Sequence, residues 1–352
     1  NRFGSDKKMI GVIGPVFSSE LSVTAGAGNF HKMPVVSPTA TVNFAAKENP
    51  YLFQLNPTYD VRGRLMSKYA HRELGMRRFI MLTEDAYGKE YADAFQSEAK
   101  TNEDSVLLVV TYKRDDWDLA DEIGTIRKFL EDNDRFVDFT GLQENEQAEM
   151  LMKAGLGKTA IDTLSRGKYL VSIYWLFEDG LAKSLMAGGL RTVGYDPKVF
   201  NVVFGLADAI YIPVSQPSEI EKISFELYKS RIGLPVLGTS DWNSDALKQA
   251  SAYIEKLWIE SDFVLREDFK DKSAPIRPED RRNYFFGYGT AKLLFDLISS
   301  GNNTRETLNN ALEKISGRQL PYNGLTIKDR TNSSLNVLKF EKGKTTVAPY
   351  SY

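Results

Sequence analysis

The chain has 352 residues, enough for two lobes each with its own core, and its composition (42% apolar, 26% charged, net charge −2) is that of a globular protein rather than a disordered one. It has no run of 18 apolar residues to span a bilayer, and its 45 Lys and Arg nearly balance its 47 Asp and Glu without a long block of either sign, so no footprint for nucleic acid or anionic lipid is visible. Cysteine is absent and His31 and His71 are the only histidines, which excludes disulfides, thiolate nucleophiles, Fe–S clusters, Cys-ligated zinc and multi-histidine sites; no metal or cofactor is expected.

In chain order, MIGVI (9–13) reads as an apolar strand, followed by a helical segment after Ser19 and a second strand, PVVS (34–37). A helix is predicted from about Tyr59 to Leu74, with Val61, Leu65, Tyr69 and His71/Leu74 forming its apolar stripe and Arg62, Arg64 and Lys68 falling outside it. RFIML (78–82), a helix near Lys89 to Ala99, and SVLLVVTY (105–112) continue the rhythm. Strands this apolar, separated by helices, predict a parallel sheet covered on both faces. After the helix DLADEIGTIRKFL (118–130), the stretch 132–205 breaks the pattern: ENEQAEMLMKAGL and KTAIDTLSRG read as a helix pair, and YLVSIYWLF as a strand entering the helix DGLAKSLMAGGL. DAIYIP (208–213), the helix PSEIEKISFELYKS and LPVLGTSDWN (234–243) resume it. RPEDRRNYFFGYGTAKLLFDLISSGN is a helix with Pro near its start and Gly at its end, and LTI, LNVLKF and TTVAPY close the chain as short strands.

AGLGKTA (154–160) resembles a phosphate loop only in part. Such a loop needs Gly where Met152 stands and a strand leading in, so the stretch reads as a helix start. Neither histidine accompanies a G-x-S-x-G elbow, adjacent acids such as Glu84-Asp85 read as solvated turns, and no catalytic constellation emerges; an enzyme is not expected. Polar turns do recur at strand ends: Ser18-Ser19 after MIGVIGPVF, Ser37-Pro38-Thr39-Ala40-Thr41 after PVV, Glu84-Asp85-Ala86-Tyr87-Gly88 after RFIML, and Ser240-Asp241-Trp242-Asn243 after PVLG. Ligands of open α/β sheets sit beyond the carboxyl ends of strands. Hydroxyls and free N–H groups there suit a carboxylate, and a buried acid suits an ammonium. One such turn reads as a helix cap; four together read as a site.

Through VIGPVFSS, MPVVSPTAT, YLFQLNPTYDVRGRLMSKYA, DAYGKEYADAF, ADAIYIP, PVLGTSDWN, YFFGYGTAKLLFDLI and YNGLTIKD, in that order, the chain resembles the type I periplasmic solute-binding proteins, whose branched-chain amino-acid binders feed ABC transporters. The resemblance implies an α/β fold of two doubly wound parallel-sheet lobes joined by a three-strand hinge. Lobe one would take 1–56 and 264–323, and lobe two 57–263 and 324–352, with an unusual insert at about 132–205. The resemblance also implies a strand and helix that open the first lobe, which would lie ahead of Asn1. By position, the resemblance implies that the hydroxyl of Ser18 or Ser19, the Thr39 backbone and Thr41 bind an α-carboxylate, with Phe17 and Ala40 also counted in the site, that Asp241 binds the α-ammonium, that Tyr87 closes over the ligand and that Trp242 walls the side-chain pocket. Pro213-Val214-Ser215 stands where relatives often carry an aromatic, which leaves side-chain specificity open.

The function so implied is periplasmic or other extracytoplasmic binding of a small solute, an amino acid or similar zwitterion, for delivery to an ABC-transporter permease. Membrane attachment would come from a segment outside this chain. The insert motivates an alternative: an envelope regulatory or scaffolding module of the same fold that binds a protein partner.

Overall fold

The apolar runs form strands where expected, and their flanking turns set the connections. The computed structural model describes residues 2–349 apart from 44, 115–117, 141, 143, 144, 274 and 275. The expected ends of ENEQAEMLMKAGL at Glu144 and of TTVAPY at Tyr350 lie outside the described residues. The chain lays down β1 (Val12–Ile13), β2 (Val35–Ser37) and β3 (Leu52–Gln54), then β4 (Arg78–Glu84) and β5 (Ser105–Tyr112). It detours through β6 (Phe136–Asp138), β7 (Tyr169–Ser172) and β8 (Asn201–Val203) before β9 (Ala209–Ile212), β10 (Val236–Gly238) and β11 (Lys256–Ser261). It ends with β12 (Arg318–Gln319), β13 (Gly324–Leu325), β14 (Ile327–Lys328), β15 (Thr331–Asn332), β16 (Asn336–Glu341) and β17 (Lys344–Ala348).

Two sheets carry the architecture. The first runs β1-β2-β3-β15-β14 and the second β17-β16-β11-β10-β9-β4-β5. Pairing is parallel from β1 to β3 and on to β15, and from β5 through β4, β9 and β10 to β11; β14, β16 and β17 add antiparallel edges. β4 shows why its run is apolar throughout. Phe79 and Met81 pack into one core while Ile80 and Leu82 enter the core on the other face. Each such side chain contributes about 1.5–3 kcal/mol by leaving water.

The chain passes between the two sheets three times: from β3 to the helix Tyr59–Arg72, from β11 toward the helix Pro278–Ser299, and from β15 to β16. One expected boundary is corrected here. Residues 327–332, assigned to the second lobe, pair with the first sheet, because Thr331 stands beside Gln54 and β14 folds back on β15.

The insert is a unit with its own core. β6, β7 and β8 form a separate three-stranded sheet, packed by Val137, Leu151, Ile161, Val171, Ile173 and Ala182. Buried Asp134 fastens its entry to its exit: Oδ1 accepts from the Ser172 hydroxyl (2.7 Å), and Oδ2 accepts from the amides of Gly205 (2.9 Å) and Leu206 (3.1 Å). Arg78, the first residue of β4, pairs with Asp179 of the insert and lies 5.2 Å from the Tyr174 ring. The insert therefore meets the second sheet at the amino ends of its strands, away from the turns beyond their carboxyl ends. AGLGKTA is a helix start, with Gly157 preceding the helix Lys158–Arg166. Among the described residues no helix is long and apolar enough to cross a membrane.

Candidate functional site

The first two polar turns do not act as simple caps. Ser18 begins a single 3-10 turn, Ser18–Glu20, and neither that turn nor the helix Leu21–Phe30 receives a side-chain cap. Instead the Ser18 hydroxyl accepts from the Thr41 amide (3.3 Å), the Thr39 hydroxyl donates to the Val16 carbonyl, and Ser37 Oγ donates to Pro15 O (2.7 Å) while accepting from the Ala40 amide. The ends of β1 and β2 are thus knit into one surface. Ala40 is buried within it, whereas Ser19 and the ring of Phe17 (66% exposed) face outward.

From this surface the polar contacts run into the second sheet. The Thr39 carbonyl accepts from Asn56 Nδ2 (3.2 Å), and Asn56 Oδ1 accepts from Arg62 Nη2 (2.8 Å). Arg62 Nη1 donates to Ser240 Oγ (2.9 Å), the neighbour of Asp241, and Nη2 donates to Asp262 (2.6 Å). Glu260 lies 3.4 Å from Nη1, and its Oε1 also accepts from the Ser240 amide. The expectation that Arg62 falls outside the buried stripe is corrected: it is 2% exposed, because the face of its helix turned toward β11 meets two acids rather than water. Burial alone would favour its neutral form, but Glu260 and Asp262 hold its pKa well above the ordinary guanidinium value.

The acids of this cluster divide by how well they are paired. Burial would raise Asp262, but Arg62 and Arg282 outweigh it and bring its pKa down to about 2; Arg282 Nη2 lies 2.5 Å from its carboxylate. Burial pushes Glu260 up to about 7 against the pull of Arg62. Burial likewise pushes Asp241 up to about 6, with Arg62 and Arg282 opposing and Asp262 and Glu84 adding to the rise. Among the described residues, no hydrogen bond or ion pair reaches the Asp241 carboxylate.

Tyr87 opens the helix Tyr87–Thr101, is 48% exposed, and lies 6.0 Å from the ring of Tyr59; the Arg114 guanidinium stands 5.5 Å over it. Tyr59 in turn shares a hydrogen bond with the Thr41 hydroxyl, so the lobe-one loop and Tyr87 meet through it. Two expectations fail here. Trp242 offers no wall: it is fully buried, its Nε1 donates to the Ile212 carbonyl (2.9 Å), and its indole packs against Gly238, so it is a core residue of the second sheet. Glu84 is not solvated either. It is fully buried, and its two oxygens accept from the Gly88 amide (3.0 Å) and the Ser215 hydroxyl (2.9 Å), fixing the turn that presents Tyr87.

Sequence reasoning missed Asn56, Tyr59, Arg62, Glu260, Asp262 and Arg282. The usable signal was NPTYDVRG, where two polar side chains and an arginine crowd the start of an otherwise apolar helix face.

Residues 5–154 match the receptor family ligand binding region. No curated protein matches the chain at a significant level. Among solved structures, the chain is similar to a protein of Rhodospirillum rubrum assigned to branched-chain amino acid ABC transport, at TM-score 0.67 and 15% identity over 99% of this chain and 82% of that one. An ABC-transporter substrate-binding protein of Desulfitobacterium hafniense, solved in complex with Leu, follows at TM-score 0.59 and 15% identity, again over 99% and 82%. A solute-binding protein of R. palustris in complex with benzoate gives 0.55 at 13% identity over 96% and 76%. This chain has the type I periplasmic-binding fold.

Proposed function

We propose that the cleft between the two sheets binds a small solute bearing an ammonium group, an amino acid or similar zwitterion, outside the cytoplasm for delivery to an ABC-type permease. The observation that carries this reading is the Asp241 carboxylate, largely withdrawn from water yet without a partner among the described residues. A carboxylate in that setting gains strongly from a charge-assisted bond to a cation brought by a ligand. The opposite wall, where Ser18, Thr39 and Thr41 cluster, supplies the Ser18 hydroxyl as a donor suited to the carboxylate of the same solute, the Thr39 hydroxyl and the Thr41 amide being engaged within the wall. The Leu bound by the structural neighbour from Desulfitobacterium hafniense is a solute of this class. A panel of amino acids and small carboxylates should contain at least one that raises the melting temperature of the intact chain. Asp241→Asn should then weaken that solute by about 1.5–3 kcal/mol. A panel without effect, or unchanged affinity in the variant, sinks the reading.

A second reading gives the insert a protein partner. It is favoured by the insert's separate core, by Trp175 (59% exposed), and by a cavity of about 440 Å³ lined by Leu142, Met152, Ile161 and Arg166 that shares no residue with the cleft. Excision of the insert should abolish a purified partner's binding and leave solute binding intact. Retained partner binding counts against this reading.

A further inference from the structure

The charges around Asp241 do not balance, and the imbalance has a functional consequence. Six groups face it. Arg62 comes from the helix Tyr59–Arg72, Arg282 from the helix Pro278–Ser299, Asp262 and Glu260 from β11 and its end, Glu84 from the end of β4, and Tyr91 from the helix Tyr87–Thr101. Asp241, Glu260 and Asp262 therefore share two guanidinium groups, and Glu84, held by the Gly88 amide and the Ser215 hydroxyl, adds a further negative charge. Both guanidinium groups make their short contacts to Asp262, at 2.6 and 2.5 Å, so neither neutralises Asp241 directly. The backbone on each side of Asp241 is anchored, by the Ser240 amide on Glu260 and by Trp242 in the core, so the carboxylate can reach a partner only through its own side-chain rotations.

We propose that Asp241 holds a proton in the empty cleft and that the ammonium of an arriving amino acid replaces it, so that capture releases one proton and tightens as pH rises through the weakly acid range. This rests on the amino-acid reading above. The raised pKa, about 6 and caused mainly by burial, agrees with the geometry. The ammonium supplies the positive charge that the two arginines spend on Asp262, and the displaced proton passes to solvent. For a carboxyl that titrates near 6 when empty and far lower when paired, the dissociation constant should fall about tenfold from pH 5 to pH 7.

The test uses the intact chain carrying ¹³Cγ-labelled aspartate, with a mixture of the twenty protein amino acids as probe. Asp241 is identified by the resonance lost in Asp241→Asn, and the protein is titrated with and without the mixture. The expected result is a midpoint near 6 alone that falls by at least one pH unit with the mixture. A midpoint in the ordinary carboxylate range for the empty protein overturns the proposal. So does an unmoved midpoint while the mixture still raises the melting temperature, a result that leaves the amino-acid reading standing. No rise in melting temperature removes that reading and the exchange with it. If Asp241→Asn does not fold, calorimetric titration of wild type near pH 5, where Asp241 is mostly protonated, in two buffers of different ionisation enthalpy reads the released proton directly; identical heats overturn the proposal.

Discussion

Arg62→Met is the perturbation that tests the central cluster most directly. Methionine keeps much of the buried stem but removes the donors that reach Asn56, Ser240, Asp262 and the Pro57 carbonyl. Asp262 keeps Arg282, whereas Glu260, among the described residues, keeps only the Ser240 amide. Removing one partner of a buried ion pair leaves an uncompensated charge and costs about 3–5 kcal/mol. The loss should depend on pH. Glu260 has a raised pKa in the fold, so its ionised form is disfavoured and native stability falls as pH rises from its unfolded value of 4.5 through about 7. Below that window Glu260 is neutral and Arg62 has Asp262 as its charged partner; above it Arg62 must also offset ionised Glu260. Urea unfolding of wild type and variant, extrapolated to water, should therefore give a difference of about 3–5 kcal/mol near pH 7.5 and a smaller one near pH 5. A difference below about 1 kcal/mol at pH 7.5, or one that grows as pH falls, would refute the reasoning.

Trp242→Ala should cost about 3–5 kcal/mol of stability in chemical denaturation, as loss of a buried aromatic from a packed core does. A variant of native stability with only solute affinity reduced would restore Trp242 to the cleft wall. Gly63→Ala places a Cβ 2.3 Å from the Tyr91 carbonyl, so the helices Tyr59–Arg72 and Tyr87–Thr101 must separate; a melting temperature lowered by several degrees is expected, and no change would mean that the helices part freely. Asp134→Ala strips the acceptor from Ser172, Gly205 and Leu206. It should cost about 1–3 kcal/mol and speed amide exchange in β7 and at Gly205 and Leu206 while leaving β10 protected. Uniform acceleration across both sheets would show that the insert is not a separate unit.

What could be read from the sequence, and what could not, follows from the range of the interactions. The β/α rhythm was legible because burial on both faces of a parallel sheet leaves a local trace, as in RFIML and SVLLVVTY, and the turns beyond the strands could be found by position alone. The charged core was not legible. A stripe count assigns any arginine to the solvent face, and the acids that bury Arg62 lie 198 and 200 residues further along the chain. The same limit governs Trp242. An aromatic beside Asp241 suggests a pocket wall, but its fate is set by Ile212 and Gly238, which the sequence does not place beneath it. The lobe boundary slipped because β14 and β15 are two-residue strands with no period of their own, held in the first sheet by one pairing to Gln54. In each case the determinant is a desolvated partner supplied from another part of the chain. That is also why Asp241 stands out once the fold is known: the short contacts of Arg62 and Arg282 go to Asp262, and among the described residues no hydrogen bond or ion pair reaches Asp241.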